Sequence, residues 1–152
     1  MALSQEARWR GFEMVFSPWM SRRLAGVHVR YEEPAAWPAG VPVMLVANHV
    51  SWWDGFLLRE VQRATRPRAP LHVVMAGAEL RRQPVLRALG ALPLASSAMG
   101  ARALLREMRA KREASPGVVF GYFPQGRIWP STRRPLCFQP GAAWLATQLA
   151  PI

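Results

Sequence analysis

Several kinds of residue are scarce in this 152-residue chain, and each absence excludes a class of structure. The only cysteine is Cys137, so an intrachain disulfide is impossible. The three histidines show no metal-ligand spacing with it or with each other, and we expect no metal site. No apolar stretch reaches ~18 residues, and the N-terminus has no apolar region typical of a signal peptide. We therefore expect a cytoplasmic protein that does not cross a membrane.

Acidic residues are scarce as well. The chain has 20 basic and 9 acidic residues, a net charge of +11, with Lys111 its only lysine and Asp54 its only aspartate. A positive charge of this size predicts an anionic partner. Nucleic acid, an anionic membrane and a phosphorylated ligand all fit it. The seven tryptophans fit a lipid headgroup zone, although a Trp-rich core explains the same count.

Strand-like and helix-like segments alternate along the chain, which predicts an α/β fold with a largely parallel or mixed central sheet flanked by helices. The predicted strands cover residues 26–32, 41–48, 71–77, 91–95 and 117–123. The predicted helices cover residues 5–25 with a break near Pro18, 51–64, 78–90 with an interruption near Pro84, 97–115 and 141–150. We divide the chain into an amphipathic segment, 1–25, and a domain, 26–152.

The N-terminal segment has an aromatic face. Its large apolar residues are three or four positions apart and a pair of arginines follows them: Trp9, Phe12, Phe16, Trp19, Arg22 and Arg23. This pattern is typical of a helix that lies in a membrane interface. A helix packed against its own domain has the same pattern, and the sequence favours neither.

A histidine and the only aspartate stand at a strand-to-helix junction, in the segment VANHVSWWDGF. Ligands of α/β folds bind at such loops. His49 lies in the predicted turn and Asp54 in the first turn of the predicted helix, so the imidazole can lean back over that turn. Asp54 can then accept the ring N–H, which fixes the tautomer and leaves the other nitrogen free to act as a general base.

The alternative is an ordinary helix start, in which Asn48 or Ser51 caps the helix and Asp54 accepts from first-turn amides. If the pair is catalytic, no serine or cysteine is clearly aligned with it as a nucleophile. The nucleophile would then be a substrate hydroxyl and the electrophile an activated acyl group such as a thioester. This chemistry is direct acyl transfer without a covalent acyl-enzyme.

Four segments, in order, resemble the blocks of the PlsC-like glycerolipid acyltransferase family. NHVSWWD (48–54) is similar to the first block, His-x4-Asp, and AELRRQPVLRALGALPLASS (78–97) to the second. GVVFGYFPQGRIWPS (117–131) resembles the third block, Phe-Pro-Glu-Gly-Thr-Arg. FQPGAAWLATQLAPI (138–152) resembles the stretch that leads into the fourth. The family continues with another strand beyond Ala-Pro-Ile, so the resemblance implies either an incomplete domain or a chain that lacks part of the sheet edge.

The resemblance implies an enzyme that moves an acyl chain from acyl-CoA or acyl carrier protein to a glycerolipid hydroxyl, without a cofactor, at the cytoplasmic face of a membrane. His49 is then the general base and Asp54 its partner, and Gly126 forms a turn that lets the backbone approach the acceptor. Residues of the first and third blocks would bind substrate: Asn48, Ser51, Phe123, Pro124, Gln125, Gly126 and Arg127.

The third block departs from the family pattern. Gln125 stands where the family usually has glutamate, and Arg127-Ile128 replaces Thr-Arg. Ser96 stands where the second block usually has a basic residue. The changes at Ile128 and Ser96 remove two cations that would bind a substrate phosphate. Either nearby arginines replace them, or the acceptor is a less charged hydroxyl lipid; the candidate arginines are Arg127, Arg133 and Arg134.

Two other functions remain open. Arginine-rich loops near Trp129 are also typical of nucleic-acid binding, although no known nucleic-acid motif is present and we expect no such partner. A relative that binds lipid without catalysis would fit the Gln125 substitution and the early end of the chain.

Overall fold

The computed structural model describes residues 4–30 and 40–150. Within them, four parallel strands form one sheet in the order β1-β4-β2-β3. The strands are β1 Val43–Val46, β2 Leu71–Ala76, β3 Leu92–Leu94 and β4 Val119–Tyr122. The helices are α1 Gln5–Ser21, α2 Asp54–Thr65, α3 Gly77–Arg82, α4 Pro84–Ala88, α5 Ala98–Ala114 and α6 Gly141–Leu149. The predicted α/β class and its parallel sheet are therefore confirmed.

The centre of the sheet is β4, in which every residue is buried. Val119 pairs with Val43 of β1 on one side and with Leu71 of β2 on the other. Because the strands are parallel, their carboxyl ends meet at one edge of the sheet. The chain segments that leave β1 and β4 start side by side there.

Successive residues of β4 face opposite sides of the sheet. Phe120 and Tyr122 join the main apolar core with residues of α5 and α6. Gly121 faces α2, where a Cβ atom would come within 2.7 Å of Leu58 Cδ1. The missing side chain thus lets α2 pack close to the sheet, and α2 is the helix that carries Asp54.

The aromatic face of α1 packs on α2 and on the turn before it. Phe12 stacks on Phe56 with ring centroids 5.7 Å apart, and Trp19 stacks on Trp53 at 4.8 Å. The buried Arg59 guanidinium of α2 pairs with Glu6 of α1 at 2.7 Å. This face of α1 therefore packs against the protein's own domain, which is the second of the two arrangements expected from the sequence. The domain boundary after residue 25 stays a prediction.

Two details of the predicted elements are wrong. Residues 26–30 form no strand, and the remainder of that predicted strand lies outside the described residues. Helix α1 continues through Pro18 to Ser21 instead of breaking. Proline cannot donate to the carbonyl four residues earlier, which belongs to Met14. Met14 is exposed, so water can satisfy that carbonyl, and only three residues of helix follow the proline.

Smaller shifts concern the junction that carries His49. The strand ends at Val46, not Asn48, and α2 begins at Asp54, not near Ser51. Residues 51–53 form a turn of their own. In the described parts of the chain, no helix has the length and apolar character needed to cross a bilayer.

Candidate active site

The backbone of His49 is held from both sides by the segment that follows β4. The His49 N–H donates to Gln125 Oε1 at 2.5 Å, and the Trp129 N–H donates to the His49 carbonyl at 2.8 Å. Both contacts are possible because β1 and β4 are neighbours in the sheet. His49 is thus fixed in the turn between β1 and α2, where the sequence predicts it.

The carboxylate of Asp54 gathers four donors. Its Oδ2 accepts from His49 Nδ1 at 2.8 Å, from the Val50 N–H at 2.7 Å and from the Ser51 N–H at 2.9 Å. Its Oδ1 accepts from the Ser51 hydroxyl at 2.5 Å. The predicted His49–Asp54 contact is therefore present, and the same carboxylate closes the turn before the helix.

This arrangement combines the two interpretations of the motif. Asp54 is the first residue of α2, where a negative charge is favoured by the helix dipole. The amides that it accepts from belong to the preceding turn, not to the first turn of the helix as the capping interpretation has it. Trp53 holds the N-cap position without a side-chain hydrogen bond, so neither Asn48 nor Ser51 caps α2.

The protonation of the pair follows from its surroundings. Burial alone would raise the pKa of Asp54, but hydrogen bonds from Ser51, His49 and Val50 outweigh it and bring the pKa below its ordinary value. Asp54 is therefore a carboxylate at neutral pH and can only accept. His49 Nδ1 must then carry the proton of the neutral ring, which leaves a lone pair on Nε2.

The imidazole is accessible as well as oriented. Its side chain is 23% exposed, and the ring stacks on Phe123 with centroids 4.4 Å apart. A ring held through Nδ1 by a buried carboxylate has the arrangement of a general base that acts through Nε2.

A cavity of about 780 Å³ opens beside His49. It follows β2, of which every residue except His72 lines it, over roughly 16 Å at the usual rise per residue. His49 lies at the carboxyl end of the strands, and Trp9 and Leu89 lie towards the amino end. The wall between them is mainly apolar. A cavity of this size and composition fits a long apolar ligand.

Not all of the predicted binding residues line this cavity. Phe123, Gly126 and Arg127 do, and Gly126 adopts the left-handed conformation (φ +70°) that its predicted turn requires. The others lie outside the wall: Asn48, Ser51, Pro124 and Gln125. Pro124 and Gln125 are buried, and Asn48 is exposed. Direct contact of these four residues with a substrate stays a prediction.

The two tryptophans of the first block have different neighbours. Trp52 lines the cavity and also contacts Phe16 of α1, with ring centroids 6.1 Å apart. Trp53 stacks on Trp19. One tryptophan thus lies beside the site and the other in the packing between the two segments.

Two arginines flank one indole, and one of them, Arg127, lines the cavity. The Cζ atoms of Arg127 and Arg133 lie 3.9 and 3.7 Å from the ring centroid of Trp129. Two guanidinium groups this near to one centroid would overlap on the same face, so they cover opposite faces. Of the three arginines expected to replace the family's cations, Arg134 is not in this stack and instead donates to the carbonyls of Ser131 and Arg133.

The role of Trp129 in holding His49 was not predicted. Its contact is made by a backbone N–H, for which the side chain gives no indication. Most of the cavity wall could not be predicted either, because the sequence of an apolar strand is the same whether its residues face a core or a ligand. In the described residues, no cluster of three or more histidine, cysteine or acidic side chains could hold a metal ion.

Comparison with known proteins gives one match. The family model described as Acyltransferase matches residues 28–152, a range that contains all four resembling segments. This match confirms the resemblance seen in the sequence. Searches of curated proteins and of solved structures found no match.

The buried carboxylate predicts a pH-dependent stability. We expect Asp54→Asn to lower the free energy of unfolding by about 1–3 kcal/mol at pH 7, because charge-assisted hydrogen bonds are lost. The pKa of Asp54 is lower in the folded than in the unfolded state. Its contribution is therefore complete above the ordinary value of about 4 and disappears as pH falls through the folded-state pKa. Urea unfolding of both proteins between pH 7 and 2 measures the difference.

The control for this comparison is Glu60→Gln on the same helix. Glu60 makes only a 3.6 Å ion pair with Arg63, so this variant should stay within about 0.5 kcal/mol of the wild type. A stability difference for Asp54→Asn that is the same at every pH would contradict the assignment of a carboxylate in the folded state.

Proposed function

We propose, because this chain belongs to the acyltransferase family, that it transfers a fatty acyl group from acyl-CoA or acyl carrier protein to a hydroxyl of a glycerolipid or lysolipid. The observation that carries this proposal is the position of His49. It lines a mainly apolar cavity of about 780 Å³, and its Nδ1 is bound to a buried carboxylate.

The proposed reaction needs no protein nucleophile. His49 Nε2 removes the proton from the acceptor hydroxyl while the oxygen attacks the thioester carbonyl. The tetrahedral intermediate then collapses, the carbon–sulfur bond breaks, and the imidazolium returns the proton to the leaving thiolate. Asp54 stabilises the imidazolium in between. The Ser51 hydroxyl donates to Asp54, which supports its role in the turn and not as a nucleophile.

The acceptor or donor carries phosphate in this proposal. Arg127 lines the cavity and Arg133 lies against the same indole, and neither forms an ion pair with an acidic residue among residues 4–30 and 40–150. A guanidinium group suits a phosphate because it can donate two hydrogen bonds to the phosphate oxygens. Trp129 has both faces covered by these arginines, so it cannot stack on a base as the nucleic-acid interpretation requires.

A membrane surface would supply the lipid substrate. Beside its packed face, α1 leaves Met14 and Val15 exposed by 80% and 82%. Trp19 and Arg23 follow Val15 at intervals of four residues, and Arg23 lies over the Trp19 ring. Apolar residues flanked by Arg and Trp are typical of a helix that lies on lipid, and each arginine near an anionic surface adds about 1 kcal/mol. We place the protein peripherally, on the cytoplasmic face.

The first test compares wild type and His49→Ala with labelled acyl-CoA and a panel of hydroxyl lipids. Removal of a general base should lower kcat about 10²- to 10⁴-fold with little effect on liposome binding. His28→Ala is the matched control, because His28 is exposed and far from the pair in sequence. Equal transfer by wild type and His49→Ala would rule out the mechanism. No transfer by the wild type, with acyl-CoA or with acyl carrier protein as the donor, would favour a relative that binds lipid without catalysis.

The second test asks which substrate presents the phosphate. We expect Arg133→Met to raise KM about tenfold or more for that substrate, because charge-assisted hydrogen bonds are lost. The donors compared are acyl-CoA and an acyl-pantetheine without phosphate, and the acceptors are a lysophosphatidate and a monoacylglycerol. Only the phosphorylated member of one pair should lose affinity. Arg102→Met, on the exposed side of α5, is the control. An unchanged KM for every substrate would contradict a phosphate site at this stack.

The third test concerns the membrane. Met14→Glu should weaken binding to anionic liposomes several-fold, because it places a charge in the proposed contact. Met99→Glu is matched in residue type and in exposure, which is 80% for both positions, and adds the same charge on α5. Sedimentation with vesicles of anionic phospholipid measures both. An equal loss for the two variants would show that net charge, and not the α1 surface, determines binding.

A further inference from the structure

Gln125 differs from its neighbours in the third block because both ends of its amide are bonded to the protein. Its Oε1 accepts from the His49 N–H at 2.5 Å, and its Nε2 donates to the Leu136 carbonyl at 3.0 Å. The residue is 7% exposed and is not part of the cavity wall. A substrate would have to displace one of these contacts to reach it.

The two contacts join segments that are far apart in the chain. One partner belongs to the turn after β1 and the other to the returning arm of the loop after β4. That loop is also closed at its base, where the Gln139 N–H donates to the Pro124 carbonyl at 3.0 Å. Gln125 therefore lies inside the loop and connects it to the backbone of His49.

An amide is the group that this position requires. The side chain at position 125 must accept from the His49 N–H and donate to the Leu136 carbonyl at the same time. A glutamine does both while uncharged. A carboxylate could still accept from His49, but it has no proton for Leu136, and its charge would be buried against a carbonyl oxygen. The departure from the usual glutamate thus matches the hydrogen bonds that surround it in this chain.

We propose that Gln125 is a positioning residue: its neutral amide fixes the backbone of His49 against the loop after β4, and it does not bind substrate. This inference rests on the proposed function only where it concerns catalysis. The effect on the His49 amide and on stability follows from the hydrogen bonds alone. The two parts can therefore be tested separately.

The informative variant is Gln125→Glu. At pH 7 its midpoint of thermal unfolding should lie below that of the wild type, and the gap should close on acidification. Burial against a carbonyl raises the pKa of the introduced carboxyl above its ordinary value of about 4.3. Once protonated, that carboxyl again offers one donor and one acceptor, so the defect is present above the folded-state pKa and lost below it. Gln148→Glu adds the same charge at an exposed position of α6 and should show no such gap.

Gln125→Met removes both hydrogen bonds without adding charge. The amide of His49, followed by hydrogen exchange with NMR detection at pH 7, should exchange about tenfold faster than in the wild type. Its stability defect should not depend on pH. In the acyl-transfer assay, kcat should fall while KM stays within about twofold, because the base and not the binding site is displaced.

The outcomes separate the two proposals. Unchanged His49 exchange and unchanged unfolding in both variants would overturn the role of Gln125, whether or not the protein is active. Altered exchange in the variants, together with a wild type that transfers no acyl group, would support that structural role and overturn the proposed function. Gln125→Glu could be unfolded at pH 7, and its refolding on acidification would then still support the inference. Failure of this variant to refold at any pH, with Gln125→Met behaving as the wild type, would overturn the inference. A rise in KM without a fall in kcat would indicate substrate binding and contradict the inference.

Discussion

The site depends on how the backbone of one residue is held. His49 has its N–H and its carbonyl bonded to the segment after β4, and its ring bonded to the first residue of α2. Three chain segments therefore meet at a single residue. The parallel pairing of β1 with β4 makes this possible, because it brings the carboxyl ends of two strands distant in sequence to adjacent positions. The imidazole is oriented before any ligand arrives.

The same sheet also determines where a ligand can lie. β2 is the neighbour of β4 on the side away from β1, and the cavity follows it from end to end. His49 and Trp9 of α1 both line this cavity. The packing of α1 on α2 through Arg59 and the aromatic residues thus shapes the far end of the cavity, because Trp9 belongs to both. The exposed side of α1, which carries Met14 and Val15, is separate from this packed face.

The sequence predicts local features of this protein better than distant ones. The His49–Asp54 contact spans five residues and follows from the strand-to-helix junction alone. Short apolar runs identify β1 to β4, because buried parallel strands are apolar along nearly their whole length. The strand predicted at 26–32 fails in its described part, since alternation shows only that a segment could pair and not that a partner exists. The contacts of Gln125 and Trp129 with His49 depend on folding across more than 75 residues and involve backbone atoms.

The departures from the family pattern become intelligible once their partners are known. Glutamine in place of glutamate coincides with a carbonyl, that of Leu136, which needs a donor. Arg127 stands one position before the family's arginine, and Trp129 holds it beside Arg133, six residues further along. In both cases the nearby loop supplies the group that the altered residue needs. A motif is therefore better judged by the hydrogen bonds and charges around it than by its residue types alone. By that measure the substitutions in this chain leave the His49–Asp54 contact and the neighbouring cavity intact.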